Sequence, residues 1–171
     1  MPLKPARFCP YCSTELALAD DHGTRRPTCP DCRFVAYQNP APAVGVILER
    51  TGGVVLVRRK FDPRAGYWGL PAGFMEYPEA PEETAIREAR EETGLAIEID
   101  ALHGAYKGGD DPRTRVILLV YRARIAGGRM RAGDDASAVE VFSLDDLPEL
   151  AFRSHRRALR EYRSFLRAVG R

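Results

Sequence analysis

The stretch GFMEYPEAPEETAIREAREETGL, Gly73 to Leu95, carries seven glutamates and two arginines. Its second half has the marks of a helix. Pro81 suits a first helical turn, where its missing N–H is not needed. Gly94 can adopt the left-handed conformation that ends a helix. A helix is therefore predicted from about Glu82 to Thr93, with Ala85, Ile86 and Ala89 as a narrow apolar face. Residues three and four apart share a face, so Glu88, Glu91 and Glu92 point to nearly the same place, with Arg87 one turn from Glu91. Like charges at that spacing repel by roughly a few tenths of a kcal/mol per pair. Such a turn belongs either in open water or around something cationic. Clustered carboxylates are hard oxygen donors suited to Mg²⁺ or Mn²⁺. The preceding LPAG can aim a backbone carbonyl at the same ions. A cluster of this kind can clamp a diphosphate and activate water against phosphorus.

A second constraint lies at Cys9, Cys12, Cys29 and Cys32, two C-x2-C pairs separated by sixteen residues. Four thiolates at this spacing fit a closed tetrahedral zinc site, which is structural because no position is left for substrate. The polar stretch between the pairs is too small for a core of its own, so metal binding would supply its folding energy. Two disulfides, a redox pair or unpaired buried thiols are the competing readings. His22 reads as an exposed loop residue, because the cysteines already fill four positions. A zinc ribbon over residues 1–37 is expected, followed by a second domain over residues 38–171.

YQNPAPA, residues 37–43, reads as an extended linker, since prolines disfavour helix before them. AVGVILER and GVVLVRRK, joined by TGG, give a hairpin signal. FDPRAGYWGLPAG reads as loop. LAIEID alternates as a strand should, YKGGDDPRT reads as loop, and RVILLVYRARI is the most β-like run and a central-strand candidate. GGRMRAGDDAS is a further loop, AVEVFSL a short strand and DDLPEL a turn. From Ser154 a helix is expected, with Leu159, Tyr162, Phe165, Leu166 and Val169 on one side. With 26 basic and 24 acidic residues, the net charge of +2 points to no particular partner. No apolar run approaches the roughly 20 residues of a membrane helix, and the N-terminus lacks the apolar stretch of a signal peptide. The expectation is a cytoplasmic chain with no membrane partner.

Gly73, five residues, Glu79, seven residues and then REAREETGL is similar to the signature of the Nudix hydrolases. Every fixed position is filled: Gly73, Glu79, Arg87, Glu88, Glu91, Glu92 and Gly94. The ribbon followed by AYQNP resembles the zinc-ribbon-bearing branch that includes NADH, FAD and ADP-ribose pyrophosphatases. The resemblance implies an α/β/α sandwich with a mixed sheet, and hydrolysis of a nucleoside diphosphate linked to another moiety. It implies Glu88, Glu91, Glu92 and the carbonyl of Gly73 as ligands of catalytic Mg²⁺ or Mn²⁺. It makes Glu88 a candidate base, and Arg87 and Glu79 the partners that orient the glutamates. The segment SQPWPFP that marks NADH pyrophosphatases is absent, which ranks ADP-ribose and FAD above NADH.

Beyond the signature, Glu76 is a candidate ligand or substrate contact, against a surface acid. Arg58 and Arg59 could contact phosphates, against a solvated strand end. Tyr67, Trp68, Phe74 and Tyr106 could stack on a base or flavin ring, against core packing. Asp134, Asp135 and Glu140 lie where some relatives supply a base. His155 reads as a helix-start packing residue rather than a catalyst. The basic segment RSHRRALREYRSFLR reads as a solvated face, so nucleic acid is not the expected partner. A homodimer is expected by resemblance. The alternatives are a metabolite sensor that does not cleave its ligand and a hydrolase of capped RNA ends.

Overall fold

The computed structural model describes residues 5–110 and 114–170, which form two compact units. The first holds residues 5–40 with Thr114, the second residues 41–110 and 115–170.

In the first unit, β1 (Ala17–Asp21) and β2 (Thr24–Thr28) pair antiparallel across a two-residue turn. His22 and Gly23 in that turn have φ of 49° and 82°, the positive values that match the twist of flanking strands. His22 is exposed there. Each cysteine pair sits in a tight turn of the same form. Ser13 N–H donates to the Cys9 carbonyl at 2.9 Å, and Arg33 N–H to the Cys29 carbonyl at 3.0 Å.

The second unit runs β3 (Ala41–Arg50), β4 (Gly53–Arg59), β5 (Trp68–Gly69), β6 (Ala72–Phe74), α1 (Pro81–Thr93), β7 (Leu95–Gly108), β8 (Val116–Gly128), β9 (Ala136–Phe142) and α2 (Arg153–Ala168). The strands lie in the order β5-β4-β3-β8-β7, with β6 on β3 and β9 on β4. The β3–β8 pair is parallel and the other pairs are antiparallel, so the sheet is mixed. Successive residues of β3 point to opposite faces. Val44, Val46 and Leu48 pack with Ala85 and Ala89 of α1. Ala43 and Ile47 pack with Ala158, Leu159 and Tyr162 of α2. The result is an α/β/α sandwich, and burial on both faces explains why β3 and β4 read as unbroken apolar runs.

Several local expectations are corrected. β3 and β4 share only the pairs Glu49–Val54 and Arg50–Gly53. Beyond the turn they diverge, because β3 takes β6 and β8 as partners while β4 takes β5 and β9. The stretch read as linker ends early, since Ala41–Ala43 already belongs to β3. Two short strands, β5 and β6, lie within FDPRAGYWGLPAG. The LAIEID strand continues to Gly108. Register shifts after Ala96, Ile99 and Leu102 break its alternation, and a broken alternation hides a strand from a period-two reading. Of the loop read at 106–114, residues 111–113 lie outside the described residues. Ile86 is 43% exposed, and Val169 is 52% exposed just past the end of α2. Thr84 and Thr93 fill α1's buried face instead of Ile86. β8 is central, between β3 and β7, as RVILLVYRARI suggested.

Candidate active site

The helix α1 is fixed at both ends. Glu83 Oε2 accepts the Ala80 N–H at 2.8 Å, satisfying a donor at its start. At its end Gly94 has φ 71° and donates its N–H to the Arg90 carbonyl. Between these ends Arg87 is the hub. Its Nε and Nη2 grip Glu79 Oε1 and Oε2 at 2.6 and 2.9 Å, a bidentate pair. Its Nη1 donates to Glu88 Oε1 at 2.6 Å and Glu91 Oε2 at 3.0 Å, and Nη2 also reaches the Phe74 carbonyl. Glu79 additionally accepts the Thr84 hydroxyl and the Glu76 N–H. The Arg87 hydrogen bonds, then those of Glu76 and Thr84, hold the Glu79 carboxyl down to about 2. The sequence pattern offered no sign of Thr84's part, since the apolar face it marked runs through Ala85, Ile86 and Ala89.

Gly73 is glycine because Glu88 is there. A Cβ at Gly73 would lie 2.0 Å from Glu88 Oε1, so the carboxylate rests against bare backbone of β6. Burial raises the Glu88 carboxyl above its ordinary range, against the pull of Arg87. Glu92 is 6% exposed and accepts the Ala72 N–H at 2.9 Å. Burial is the main cause that pushes it up to about 8, with the Glu88 charge adding and Ala72 N–H and Arg59 opposing.

The Leu70–Ala72 backbone that meets Glu92 is held from the other side by α2. Leu70 N–H donates to His155 Nδ1 at 3.0 Å, which leaves the imidazole proton on Nε2. Burial, then the Arg59 charge, lowers His155 to about 4, so the ring is neutral in a packing role at the helix start. Arg59 lies over the Phe152 ring at 5.1 Å and donates to the Pro63 carbonyl. Arg58 is exposed and donates to the Gly66 carbonyl. Trp68 packs edge-on against Phe142 beside the α2 core. Tyr106 is buried with its hydroxyl on Glu161, and Tyr67 lies under Arg64. Phe74 is 51% exposed beside Gly73, and Glu76 is exposed with its carbonyl accepting the Glu79 N–H. Asp134 and Asp135 act electrostatically on Glu88 and Glu92 respectively, while Glu140 of β9 stands opposite Leu56 of β4. Arg87 thus gathers Glu79, Glu88 and Glu91, with Glu88 against Gly73. Glu92 is held at neighbouring Ala72, and the oxygens of Glu88, Glu91 and Glu92 are not all drawn within 4.8 Å of one another. Arg59 and the Asp134–Asp135 loop act on the site electrostatically.

Among the described residues, the four cysteines alone bring three or more ligand atoms within 4.8 Å of one another. Their sulfurs stand 3.5 Å apart for Cys9–Cys32 and for Cys12–Cys29, too far for disulfides. Hydrogen bonding with Thr14 brings the Cys12 thiol down to about 6. Cys32, against the pull of the Phe34 backbone, is pushed up to about 12 by Cys29 and Cys9, so a soft cation that takes all four as thiolates must displace protons. The donor set and spacing fit tetrahedral zinc. The glutamates fit a hard divalent cation by donor type, and Arg87 holds Glu88 and Glu91 within reach of one another.

The family model for the NUDIX domain matches residues 39–162. The chain belongs to the Nudix hydrolases. Among its relatives is an ADP-ribose pyrophosphatase of Methanocaldococcus jannaschii, 41% identical over 131 residues, covering 76% of this chain and 77% of the relative. An NAD-capped RNA hydrolase NudC of Pseudomonas aeruginosa is 35% identical over 84% of this chain, which spans 50% of that relative's length. A solved NUDIX hydrolase from Nitrosomonas europaea superposes with a TM-score of 0.81 at 32% identity, covering 97% of this chain and 94% of that one. This Nudix chain is a pyrophosphatase-type hydrolase, and its cysteine cluster resembles a zinc ribbon.

Proposed function

We propose that the enzyme hydrolyses the diphosphate bond of a nucleoside diphosphate linked to another moiety, ADP-ribose or FAD ahead of NADH, giving two monophosphates. The observation that carries this reading is the Arg87 hub, which gathers Glu79, Glu88 and Glu91 beside Gly73. Glu88, Glu91, Glu92 and the Gly73 carbonyl would hold Mg²⁺ or Mn²⁺, which when bound supplies charge neutralisation and an acidified water. The chain itself contributes positioning. Arg87 keeps Glu88 and Glu91 from swinging apart, and Ala72 N–H fixes one oxygen of Glu92. Glu88, raised by burial, can accept a proton as water attacks one phosphorus in line, while the bridging oxygen leaves with the other phosphate. Arg59 and exposed Phe74 stand at the edge of this site as contacts for phosphate and for a ring. Arg58 and Trp68 are weaker contacts: Arg58, unlike Arg59, does not act on Glu92, and Trp68 packs against the α2 core. Glu76 meets Glu79 through its backbone and keeps its exposed carboxylate available for cation or substrate.

In the same reading, residues 1–37 are a ribbon holding structural Zn²⁺ through Cys9, Cys12, Cys29 and Cys32. Residues 38–171 are the catalytic domain, the enzyme works in the cytoplasm, and two copies associate. Light scattering showing only monomer at micromolar concentration would overturn the dimer. The name of the M. jannaschii relative favours ADP-ribose. The NudC relatives, which match 84% of the chain, favour capped RNA ends as the second reading. A screen for monophosphate products, read as the phosphate that a coupled phosphatase frees from them, decides between them. It would offer ADP-ribose, FAD, NADH, NAD, diadenosine polyphosphates and nucleoside triphosphates with Mg²⁺ or Mn²⁺, beside an NAD-capped oligonucleotide. One dominant, cation-dependent substrate from the small molecules is the expected result. Turnover of the oligonucleotide alone would replace it with the second reading, and silence throughout, with ligand still bound, would make the chain a sensor.

A further inference from the structure

The outer side of α1 borders a groove of about 940 Å³ whose Arg90, Arg129 and Arg131 the catalytic reading leaves unused. Its far wall is the segment after β8, docked on the end of α1 by two backbone bonds. Arg131 N–H donates to the Thr93 carbonyl at 2.9 Å and Gly133 N–H to the Glu92 carbonyl at 3.3 Å. Two glycines permit this approach: a Cβ at Gly133 would fall 2.5 Å from the Glu91 carbonyl oxygen, and one at Gly94 2.6 Å from the Arg129 carbonyl oxygen. The docking brings Arg129 and Arg131 to the same groove as Arg90.

The outer arginines of this groove are not paired from within. Arg87 is committed to Glu79, Glu88 and Glu91, and Glu91 to Arg87. Glu83 gives one oxygen to the Ala80 N–H, a neutral donor that leaves its charge in place. Arg90, Arg129 and Arg131 are exposed, and among the described residues their side chains make no hydrogen bond or ion pair. Asp134 and Glu83 are the remaining acids on the rim, against these three arginines. The negative end of α1 favours a basic residue in its last turn. It does not call for two more from another segment, since the carbonyls of Arg90, Glu92 and Thr93 already have backbone donors. Guanidinium groups gathered without partners match phosphate oxygens, which they bind through paired N–H donors.

We propose that this groove is a phosphate subsite, taking phosphate groups that the substrate carries beyond its scissile diphosphate. The assignment rests on the hydrolase reading above, because Arg87 and Glu91 line both places. It serves polyphosphate or capped-RNA substrates, since ADP-ribose and FAD carry no phosphate beyond the scissile pair. The groove is large enough for a nucleotide-sized group. A polyphosphate bridge or the first phosphodiesters of an RNA would present the same chemistry.

The test is the triple variant R90A/R129A/R131A, none of whose residues belongs to the catalytic set. Titration calorimetry with inorganic tripolyphosphate, with no divalent cation added, reads the groove without turnover. Wild type should bind with an affinity that falls as salt rises, and the variant should bind at least tenfold more weakly. With Mg²⁺, kcat/KM for ADP-ribose should stay within twofold, while that for diadenosine tetraphosphate or for an NAD-capped oligonucleotide drops tenfold or more. Whichever of the two drops identifies the source of the phosphate. Equal tripolyphosphate binding by both proteins, or none by wild type, overturns the proposal. A lowered melting temperature with unchanged binding also overturns it, assigning the arginines to the helix end alone. A wild type that binds tripolyphosphate through these arginines yet cleaves nothing would refute the catalytic reading and leave the subsite standing.

Discussion

Gly73→Ala is the smallest change that separates the catalytic geometry from the fold. Gly73 lies in the extended backbone of β6, paired with Val44 of β3, where alanine adds no backbone strain. Its Cβ, however, would fall 2.0 Å from Glu88 Oε1, 2.3 Å from Cδ and 2.6 Å from Oε2. The carboxylate must withdraw until these contacts reach at least 3.4 Å, where ordinary van der Waals contact begins. Glu88 is a flexible side chain, so it can swing away with little disturbance to the core. The loss to stability is about that of the Arg87–Glu88 bond, about 1–2 kcal/mol for a mostly buried charge-assisted pair, or about 3–6 °C in melting temperature. The loss to catalysis is larger, since a displacement of about 1 Å can cost about 10²-fold in rate. Steady-state hydrolysis of ADP-ribose with Mg²⁺ should show kcat down about 10²-fold and KM within about threefold. Gly127→Ala, whose added Cβ meets nothing within 4 Å, is the control. A folded G73A protein with wild-type kcat would refute the placement of Glu88 at the reaction centre.

Arg87→Lys loses the bidentate grip on Glu79 and the bridge between Glu88 and Glu91, so kcat should fall at least about tenfold with circular dichroism unchanged. Glu91→Gln should remove most turnover in the same assay. Elemental analysis should find one zinc per chain, lost in C9S together with cooperative unfolding of the first unit. Stability without added Mg²⁺ should fall by about 2 kcal/mol in urea between pH 6.5 and 8. Folded Glu92 keeps its proton up to about pH 8 while the unfolded carboxyl loses it near 4.5, so rising pH favours unfolding. Neutral His155 has the opposite slope from about pH 4 to 6.5, offsetting Glu92 below that limit. E92Q should abolish the fall above pH 6.5.

What could be read from the chain was what depends on local spacing. The helix bounds came from Pro81 and Gly94, the candidate metal ligands from C-x2-C and from glutamates three and four apart, and the central strand from the most β-like apolar run. What could not be read depends on contacts distant in sequence. Nothing local says that β3 and β4 part after two pairs, because both faces of each are apolar and pairing partners are set by the whole sheet. Nothing local says that Ile86 stays exposed while Thr84 turns inward; the Thr84 hydroxyl has Glu79 Oε2 to bond, which removes the penalty of burying it. The role of His155 was legible as packing at a helix start. Its hold on Leu70, 85 residues away, was not.

The glutamate turn poses a question of repulsion, and the sequence suggested divalent cations as the answer. The geometry supplies an earlier one. Arg87 already sits between Glu88 and Glu91, and its Glu79 partner is held by the Thr84 hydroxyl and the Glu76 N–H, so the guanidinium cannot easily turn away. Glu92 is handled differently: burial keeps its proton on to about pH 8, which removes a charge instead of pairing it. The site can therefore stand assembled before any cation arrives, and a cation that binds Glu92 must displace a proton. Cation affinity should then rise with pH between about 6 and 8, by close to tenfold per unit where one proton is released. Calorimetric titration of Mn²⁺ in two buffers of different ionisation enthalpy measures that proton directly. Release of no proton at pH 7 would mean that Glu92 is already ionised in the folded protein, and the assembly would then depend on the cation after all.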